Sequence, residues 1–493
     1  MFDLNKPRLR FAPSPTGSPH IGNIRTAVFD YLYARHTGGA FVLRIEDTDR
    51  ERYVESSLHE MMDGLRWMGM QWDEGPEVGG DYGPYFQSER LQLYQKYARQ
   101  LVEEGKAYYC YCTKERLDEM RKAQQEAKLP TRYDRRCRDL SDSEREELLQ
   151  QNPDPVIIFK MKLDGETMFD DAVRGRVSFD NALQDDFVMM KADGFPTYHF
   201  ASIVDDHLMQ ITHVIRGEEW LSSAPKHLQL YEAFGWTPPE FVHPPLILDE
   251  KRRKLSKRSG TSTEFTNYIR EGYLPDALLN FLATMGWSAG EDKKLFTREE
   301  LIEKFGFEGI AKAAAIFDLP KLDDLNGEYL RMMPVEELAD AILPYLREAG
   351  YVGDALSDQE RSYLLEVTAL IHDRLVKLSD AVEAVSFFYS DGLEYEEKGV
   401  RKHLSKETTP GLLKAVIEKL GGLDDWIEES IEEAVRQAGE SQEMSGGKVI
   451  HPTRMAITGR TWGPGLFELM RVLGQDRCVA RLQKAADTDW QKG

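Results

Sequence analysis

Cysteine is scarce, with four in 493 residues, too few for a disulfide-stapled scaffold and in keeping with a reducing cytosol. Long apolar runs are also missing. Nowhere do about 18 apolar residues follow one another, so no membrane-spanning helix and no membrane partner are expected. The first residues, MFDLNKPRLRF, lack the apolar stretch of a signal peptide, and a cytoplasmic protein is expected. Nor is there an excess of positive charge: Asp and Glu outnumber Lys and Arg by 85 to 63, a formal charge of −22. Indiscriminate nucleic-acid binding over the whole surface is thereby disfavoured. A local basic track stays compatible, because exposed charges are largely screened beyond about 10 Å. There is no repeat of fixed period and no low-complexity tract. What remains is ordinary for a globular chain, 41% hydrophobic and 30% charged. At about 150 residues per domain the length predicts roughly three domains.

The first hundred residues read as α/β. Leu9 and Phe11 alternate with arginines in a short strand that runs into the turn Ala12-Pro13-Ser14-Pro15-Thr16-Gly17. A helix is predicted from His20 to Arg35, stopping at Gly38-Gly39, and Phe41, Val42, Leu43 and Ile45 follow as a buried strand. Strand, helix and strand make a βαβ unit with a parallel sheet, and such sheets gather ligands beyond the C-terminal ends of their strands. Residues 108–194 differ in texture, with three of the four cysteines and short alternating strands such as Val156–Met161, and read as an inserted α+β domain. The α/β pattern resumes with the strand 211–216, a helix over 219–234 and the strand 245–248. Beyond residue 330 strand signals fade. Leu364, Val367, Ile371, Leu375, Leu378 and Val382 stand three or four apart, and similar runs near 411–420, 426–435 and 466–482 predict helices.

Two segments carry chemistry. In the turn 12–23, Pro13, Pro15 and Pro19 stiffen the backbone, while Gly17 and Gly22 leave room for a flat ring or a phosphate. The helix behind begins near His20, so free N–H groups and a partial positive charge point into the turn. The imidazole of His20 can donate to phosphate oxygens there. The second segment is Lys251-Arg252-Arg253-Lys254-Leu255-Ser256-Lys257-Arg258-Ser259-Gly260. Two lysines three apart with a Gly-Thr-Ser exit suit a loop that closes over a triphosphate and neutralises departing pyrophosphate. A run of charge this dense is otherwise a solvated face or a nucleic-acid patch.

In this order the two segments resemble the HIGH and KMSKS signatures of class I aminoacyl-tRNA synthetases, written here His20-Ile21-Gly22-Asn23 and Lys254-Leu255-Ser256-Lys257-Arg258. More narrowly, RFAPSPTGSPHIGN, RIEDTDRER, GPYFQSER, FPTYHFA, VDDH and VIRGEEW are similar to bacterial glutamyl-tRNA synthetases, over essentially the whole chain. The resemblance implies a Rossmann-type parallel-sheet catalytic domain with an inserted α+β domain, followed by an all-helical anticodon-binding region. The expected boundaries are 1–107 and 195–260 for the halves of the catalytic domain, 108–194 for an acceptor-stem domain, 261–335 for a stem-contact domain and 336–493 for the anticodon region. It implies that glutamate attacks the α-phosphorus of ATP and that the acyl group then passes to the terminal adenosine of tRNA(Glu). Activation in this family generally depends on tRNA. The implied ligands and partners are ATP with Mg²⁺, L-glutamate and tRNA(Glu), and the implied state is a monomer.

The resemblance assigns Pro13, Thr16, Gly17, His20, Gly22 and Lys257 to ATP, with His20, Lys254 and Lys257 acting on the phosphates. Arg10, Ser14, Glu46 and Arg216 fall at strand ends or in the turns beyond them, and the family positions matching these four and Tyr198 line the amino-acid pocket. Arg216 is expected on the side-chain carboxylate, Arg10 on the α-carboxylate and Glu46 on the ammonium. A surface ion pair of Glu46 with Arg44 or Arg50 is the plain alternative. Where many relatives carry asparagine this chain has Ser202, too short to reach a ligand without water. Cys110, Cys112 and Cys137 form a C-x-C…C set that can hold structural Zn²⁺. Some relatives close the site with a histidine two residues after the third cysteine. Asp139 stands there in this chain, with Tyr133 as another oxygen donor and three ordinary reduced thiols as the plain alternative. Cys478 reads as packing.

Arg132, Arg135, Arg136, Arg138 and the 251–258 loop can supply a local basic track for tRNA, and His372 and Arg374 lie where relatives differ over the third anticodon base. Other readings are weaker. A small-molecule nucleotidyltransferase needs no helical final third, a glutaminyl enzyme lacks arginine at 216 and ends in β-barrels, a tRNA-base-modifying relative stops earlier, and a non-catalytic paralogue has lost His20 or the lysines.

Overall fold

A computed structural model describes residues 6–256 and 263–490. The chain divides into two compact units, Met1–Tyr268 with Pro275–Leu319, and Ile269–Leu274 with Pro320–Gly493.

The first unit opens as its alternation predicts. Strand β1 (Arg8–Phe11), helix α1 (Ile21–His36) and strand β2 (Ala40–Leu43) form a βαβ unit, with β1 and β2 parallel in the register Leu9↔Phe41 and Phe11↔Leu43. Leu9, Ile24, Val28, Leu32 and Phe41 are fully buried where helix meets sheet, and Val42, on the opposite face of β2, is fully buried in the cluster with Phe200 and Val214. The segment 107–190 supplies β3 (Ala107–Cys110), β4 (Val156–Phe159), β5 (Glu166–Asp171), β6 (Gly175–Asp180) and β7 (Phe187–Met190). Then come α2 (Tyr198–Leu208), β8 (His213–Ile215), α3 (Ala224–Phe234) and β9 (Glu240–Val242).

The main sheet has the order β2-β1-β8-β9-β5-β6, while β3, β4 and β7 form a separate antiparallel sheet. Strands β1, β2, β8 and β9 are all parallel. The chain crosses from one side of β1 to the other between β2 and β8, which opens a crevice beyond the C-terminal strand ends. The segment expected as an insertion is thus shared between two sheets. Its β5–β6 hairpin joins the main sheet where Asp171 pairs with Phe241 of β9.

The second unit contains only helices and turns among its described residues. The apolar run at 364–382 is not one helix. It splits into Asp358–Ile371 and Asp380–Tyr389. Between them Leu375 is extended (ψ 135°), and Oδ2 of Asp380 accepts from the backbone N–H of Val376 at 3.2 Å and of Lys377 at 2.8 Å. This local carboxylate cap competes with continuation of the helix. The run at 466–482 likewise breaks at Gly474 (φ 88°) into Leu466–Leu473 and Gln475–Asp487. No helix of the described residues is long and apolar enough to cross a membrane.

Candidate active site

The turn between β1 and α1 is closed by His20 itself. Its extended backbone (φ −86°, ψ 134°) makes it the N-cap of α1, and its Nδ1 accepts from the Gly22 N–H at 3.0 Å. That bond places the proton of a neutral His20 on Nε2, as a donor. A Cβ at Gly22 would stand 3.1 Å from His20 Nδ1, and Gly17 has φ +152°, which an L side chain rarely adopts. The two glycines are therefore needed for the shape of the turn.

Arg10, Pro13, Ser14, Thr16, His20, Gly22, Glu46, Tyr198, Arg216 and Lys254 all line one cleft of about 470 Å³ at the strand ends. Gly17 shapes the turn without lining the cleft, and Lys257 lies outside the described residues. Lys254 stands on the segment that follows strand β10 (Ile247–Leu248), itself parallel to β11 (Ala315–Ile316). Its Nζ is 3.2 Å from Oε1 of Glu219.

Charge at the inner end is buried and tightly paired. Arg10 donates through Nε to Oδ1 of Asp206 at 3.0 Å, and Arg44 donates to the same oxygen at 2.7 Å. The other edge of Arg44 donates to Oε1 of Glu46 at 3.1 Å. Glu46 is therefore not in a surface ion pair: Arg44 is 0% exposed, and Glu46 faces both that arginine and the cleft. Burial pushes its carboxyl up, Arg44 and Arg10 pull against that, and the net result is a pKa raised to about 7. Ser14 donates through Oγ to the backbone carbonyl of Glu46 at 2.6 Å, fixing the turn to the end of β2.

Arg216, just beyond β8, donates through Nε to Nε2 of His243 at 2.9 Å and through NH1 to Nδ1 of His227 at 2.7 Å. Its NH2 is buried without a hydrogen-bond partner among the described residues, and Tyr198 lies close enough to interact with it electrostatically. Trp220 packs on Tyr198 with ring centroids 4.6 Å apart at the cleft wall. A buried guanidinium with one open edge, a second beside it and a carboxylate opposite form a receptor for a small dianionic ammonium compound. The histidine cap and Lys254 suit phosphate.

Sequence reasoning gave no site role to Asp30, His227 or His243, met Asp206 only within the VDDH motif, and met Arg44 only as a surface partner for Glu46. Asp30, on α1, lines the cleft fully buried, neither carboxylate oxygen has a hydrogen-bond partner among the described residues, and burial raises its pKa well above the ordinary carboxylate range. Asp206 was within reach of sequence, as one of two adjacent acids that follow the apolar Ile203-Val204 in that helix. Its partner Asp205 is used structurally, accepting from Arg90 at 2.7 Å and Tyr94 at 2.7 Å. Ser202 is buried, its hydroxyl has no hydrogen-bond partner among the described residues, and it is not in the cleft wall.

A family model for the catalytic domain of class I (E and Q) tRNA synthetases matches residues 6–324, and one for an anticodon-binding domain matches residues 337–486. The chain belongs to this synthetase family. A glutamate–tRNA ligase of Dehalococcoides mccartyi is 49% identical over 482 residues, covering 98% of this chain and 97% of that protein. One from Moorella thermoacetica is 47% identical over 483 residues, 98% of each. The crystal structure of a glutamate tRNA ligase from Elizabethkingia meningosepticum, in complex with its amino acid, superposes with a TM-score of 0.87 at 38% identity, covering 98% of this chain and 99% of that one.

This family member also gathers its three expected cysteines. The sulfurs of Cys110, Cys112 and Cys137 all lie within 4.8 Å of one another. The hydroxyl of Tyr133 is 3.2 Å from Sγ of Cys110 and 3.6 Å from Sγ of Cys112, and it accepts from the Cys137 N–H at 3.2 Å. Asp139 does not join them. Its side chain is 84% exposed and 3.8 Å from Nζ of Lys160. The turn after Cys137 carries residue 139 outward, whereas Tyr133 reaches back over the sulfurs. Three soft donors and one phenol oxygen fit a tetrahedral Zn²⁺. Cys478 is buried in its helix and donates to the Met470 carbonyl at 3.6 Å, which is packing.

Proposed function

We propose that this chain attaches glutamate to tRNA(Glu) in two steps, through glutamyl-adenylate, for protein synthesis. The observation that carries this reading is the convergence of His20, Lys254, Glu46 and Arg216, from four separate elements, on one cleft. Arg216 takes the side-chain carboxylate, Arg10 the α-carboxylate and Glu46 the ammonium. Thus held, an α-carboxylate oxygen attacks the α-phosphorus of ATP and pyrophosphate departs. The 2′- or 3′-hydroxyl of the terminal adenosine then displaces AMP from the acyl carbon. No covalent enzyme intermediate is needed, so the protein contributes positioning and charge. Pro13, Thr16, Gly17 and Gly22 shape the nucleotide site, His20 donates from Nε2 to phosphate, and Lys254 and Lys257 draw off the developing charge. Mg²⁺ arrives with ATP, held mainly by phosphates and water.

Glutamine is rejected because a neutral amide leaves the buried Arg216 charge unbalanced. A buried unpaired group costs about 1–3 kcal/mol, more when charged, and polar pockets of this kind reach discrimination of about 10⁴. Residues 108–194 would hold the acceptor stem, 261–335 contact the stem and 336–493 take the anticodon, in a monomer acting in the cytoplasm. The test is glutamate-dependent ATP–pyrophosphate exchange with and without tRNA, followed by charging of tRNA(Glu) and tRNA(Gln) transcripts. Exchange driven by glutamate and not by glutamine supports the reading, and exchange driven equally by both overturns it.

A structural Zn²⁺ belongs to the same reading, with Tyr133 in the fourth position. Metal analysis of purified protein should find close to one zinc per chain. Cys110→Ser should lose it, Tyr133→Phe should bind it more weakly, and Asp139→Ala should keep it.

A further inference from the structure

Arg216 stands in the middle of an unbroken chain of buried polar contacts that the reaction does not itself use. Oδ2 of Asp171 is 2.6 Å from Nδ1 of His243, whose Nε2 accepts from Arg216 Nε at 2.9 Å. On the other side NH1 of Arg216 is 2.7 Å from Nδ1 of His227, and Nε2 of His227 is 3.0 Å from Nδ1 of His199. Asp171, His227 and His243 are all buried.

A guanidinium donates and never accepts. The ring nitrogen facing it must therefore present a lone pair on each side. His243 then carries its proton on Nδ1, which donates to Asp171, and His227 carries its proton on Nε2, which donates to His199. Both imidazoles are held neutral in one tautomer each, so the plane and rotation of the guanidinium follow from its neighbours. Two of its three nitrogens are consumed by the histidines, and the third, NH2, is buried with no hydrogen-bond partner of good geometry among the described residues, Tyr198 being the polar side chain near it. Asp171 belongs to the β5–β6 hairpin, which joins the main sheet beside β9, the strand that His243 follows.

We propose that His243 and His227 are positioning residues for specificity: fixed in opposite tautomers by Asp171 and His199, they aim the single open edge of Arg216 at the substrate's side-chain carboxylate. This rests on the reading of Arg216 as the carboxylate ligand. The surroundings keep the rings neutral. His227 faces Arg216, His199, Arg10 and Lys226, and its pKa falls well below the ordinary value, through burial first and then those charges. His243 faces Asp171, Arg216 and Arg174, and burial lowers it although Asp171 opposes. His199 is lowered to about 4 by burial, Lys226 and Arg216. Around neutral pH the three imidazoles therefore carry no charge of their own, and Arg216 keeps its positive charge on the guanidinium.

The sharpest probe is Asp171→Asn. Oδ1 of Asp171 accepts from the backbone N–H of Val173 at 3.0 Å and of Arg174 at 2.8 Å. An asparagine must keep its oxygen there and so turns its NH₂ toward His243. That forces the proton of His243 onto Nε2, donor against donor with Arg216, with almost no change of volume. In the tRNA-bound full-length enzyme, ATP–pyrophosphate exchange should show KM for glutamate raised about 10- to 100-fold, with kcat little changed and KM for ATP unmoved. The preference for glutamate over glutamine should fall by a similar factor. His243→Gln and His227→Asn, which can still offer an oxygen to the guanidinium, should retain most of that preference, and His243→Leu and His227→Leu should lose it.

Arg216→Cys separates this proposal from the reading beneath it. If that variant leaves glutamate kinetics unchanged, the carboxylate assignment itself fails. If it raises KM while Asp171→Asn and the leucine variants behave as wild type, or lower kcat with the glutamate preference intact, only the relay is overturned. Ring ¹⁵N correlations of the unaltered protein need no variant. They should show His243 as the Nδ1–H form and His227 as the Nε2–H form from pH 6 to 8. A tautomer mixture or an imidazolium at either ring would overturn the relay.

Discussion

At one end of the cleft Arg216, Arg10 and Glu46 are buried and each side chain is tied to at least one other. At the other end Lys254 is 61% exposed and paired with Glu219, itself 42% exposed. An exposed pair of this kind is worth about 0–1 kcal/mol, so Lys254 can leave Glu219 for a phosphate at little cost. Rotating Arg216 would break two buried hydrogen bonds to a charged group, each worth about 1.5–3 kcal/mol. The amino-acid end is preorganised and selects, whereas the phosphate end can adjust and serves the chemistry.

Removing each group in turn breaks that contrast by different amounts. Arg216→Cys should have the largest effect, with kcat/KM for glutamate down about 10³-fold because a carboxylate is left unpaired in a desolvated pocket. Exchange kinetics at saturating ATP measure it. His20→Ala should lower kcat about 100-fold while leaving KM for glutamate nearly unchanged, the mark of a group that acts on the transition state.

Glu46 gives a pH signature. Its carboxyl is raised to about 7 by burial, so below that pH the free enzyme holds it protonated and unable to take the ammonium. KM for glutamate should therefore rise as pH falls, approaching about tenfold per unit below 7, and level off above 8. The sign is that of a raised acid: ionisation favours the ligand, and acid opposes it. Glu46→Gln should remove the slope. Lys254→Ala should have the smallest effect, about threefold on kcat, since its charge is solvated and Arg253 and Lys251 stand beside it.

Much of the site could be read from sequence because its parts lie at strand ends or in the turns beyond them. Leu9 and Phe11 mark β1 by alternation, so Arg10 between them and the turn at residues 12–20 point to the crevice without coordinates. Arg216 and Glu46 follow from the same rule. What sequence concealed are side chains whose meaning depends on distant partners. Arg44 looks like a surface cation until Asp206, 162 positions away, is seen to hold it in the core. His227 and His243 are unremarkable until the sheet sets them on either side of Arg216. The choice between Asp139 and Tyr133 was similarly hidden, since spacing says how far a residue is from Cys137 and not which side of the turn it faces. In the helical unit, the 364–382 run satisfied a 3.6-residue period that Asp380 interrupts by capping the chain locally.

The direct test of the division between a selecting end and a driving end is the ratio of kcat/KM for glutamate to that for glutamine, measured side by side in the unaltered enzyme, Arg216→Cys and Lys254→Ala. The account predicts that the ratio collapses in the arginine variant and stays at the unaltered value in the lysine variant. A ratio that survives loss of Arg216, or that falls equally when Lys254 is removed, would contradict it.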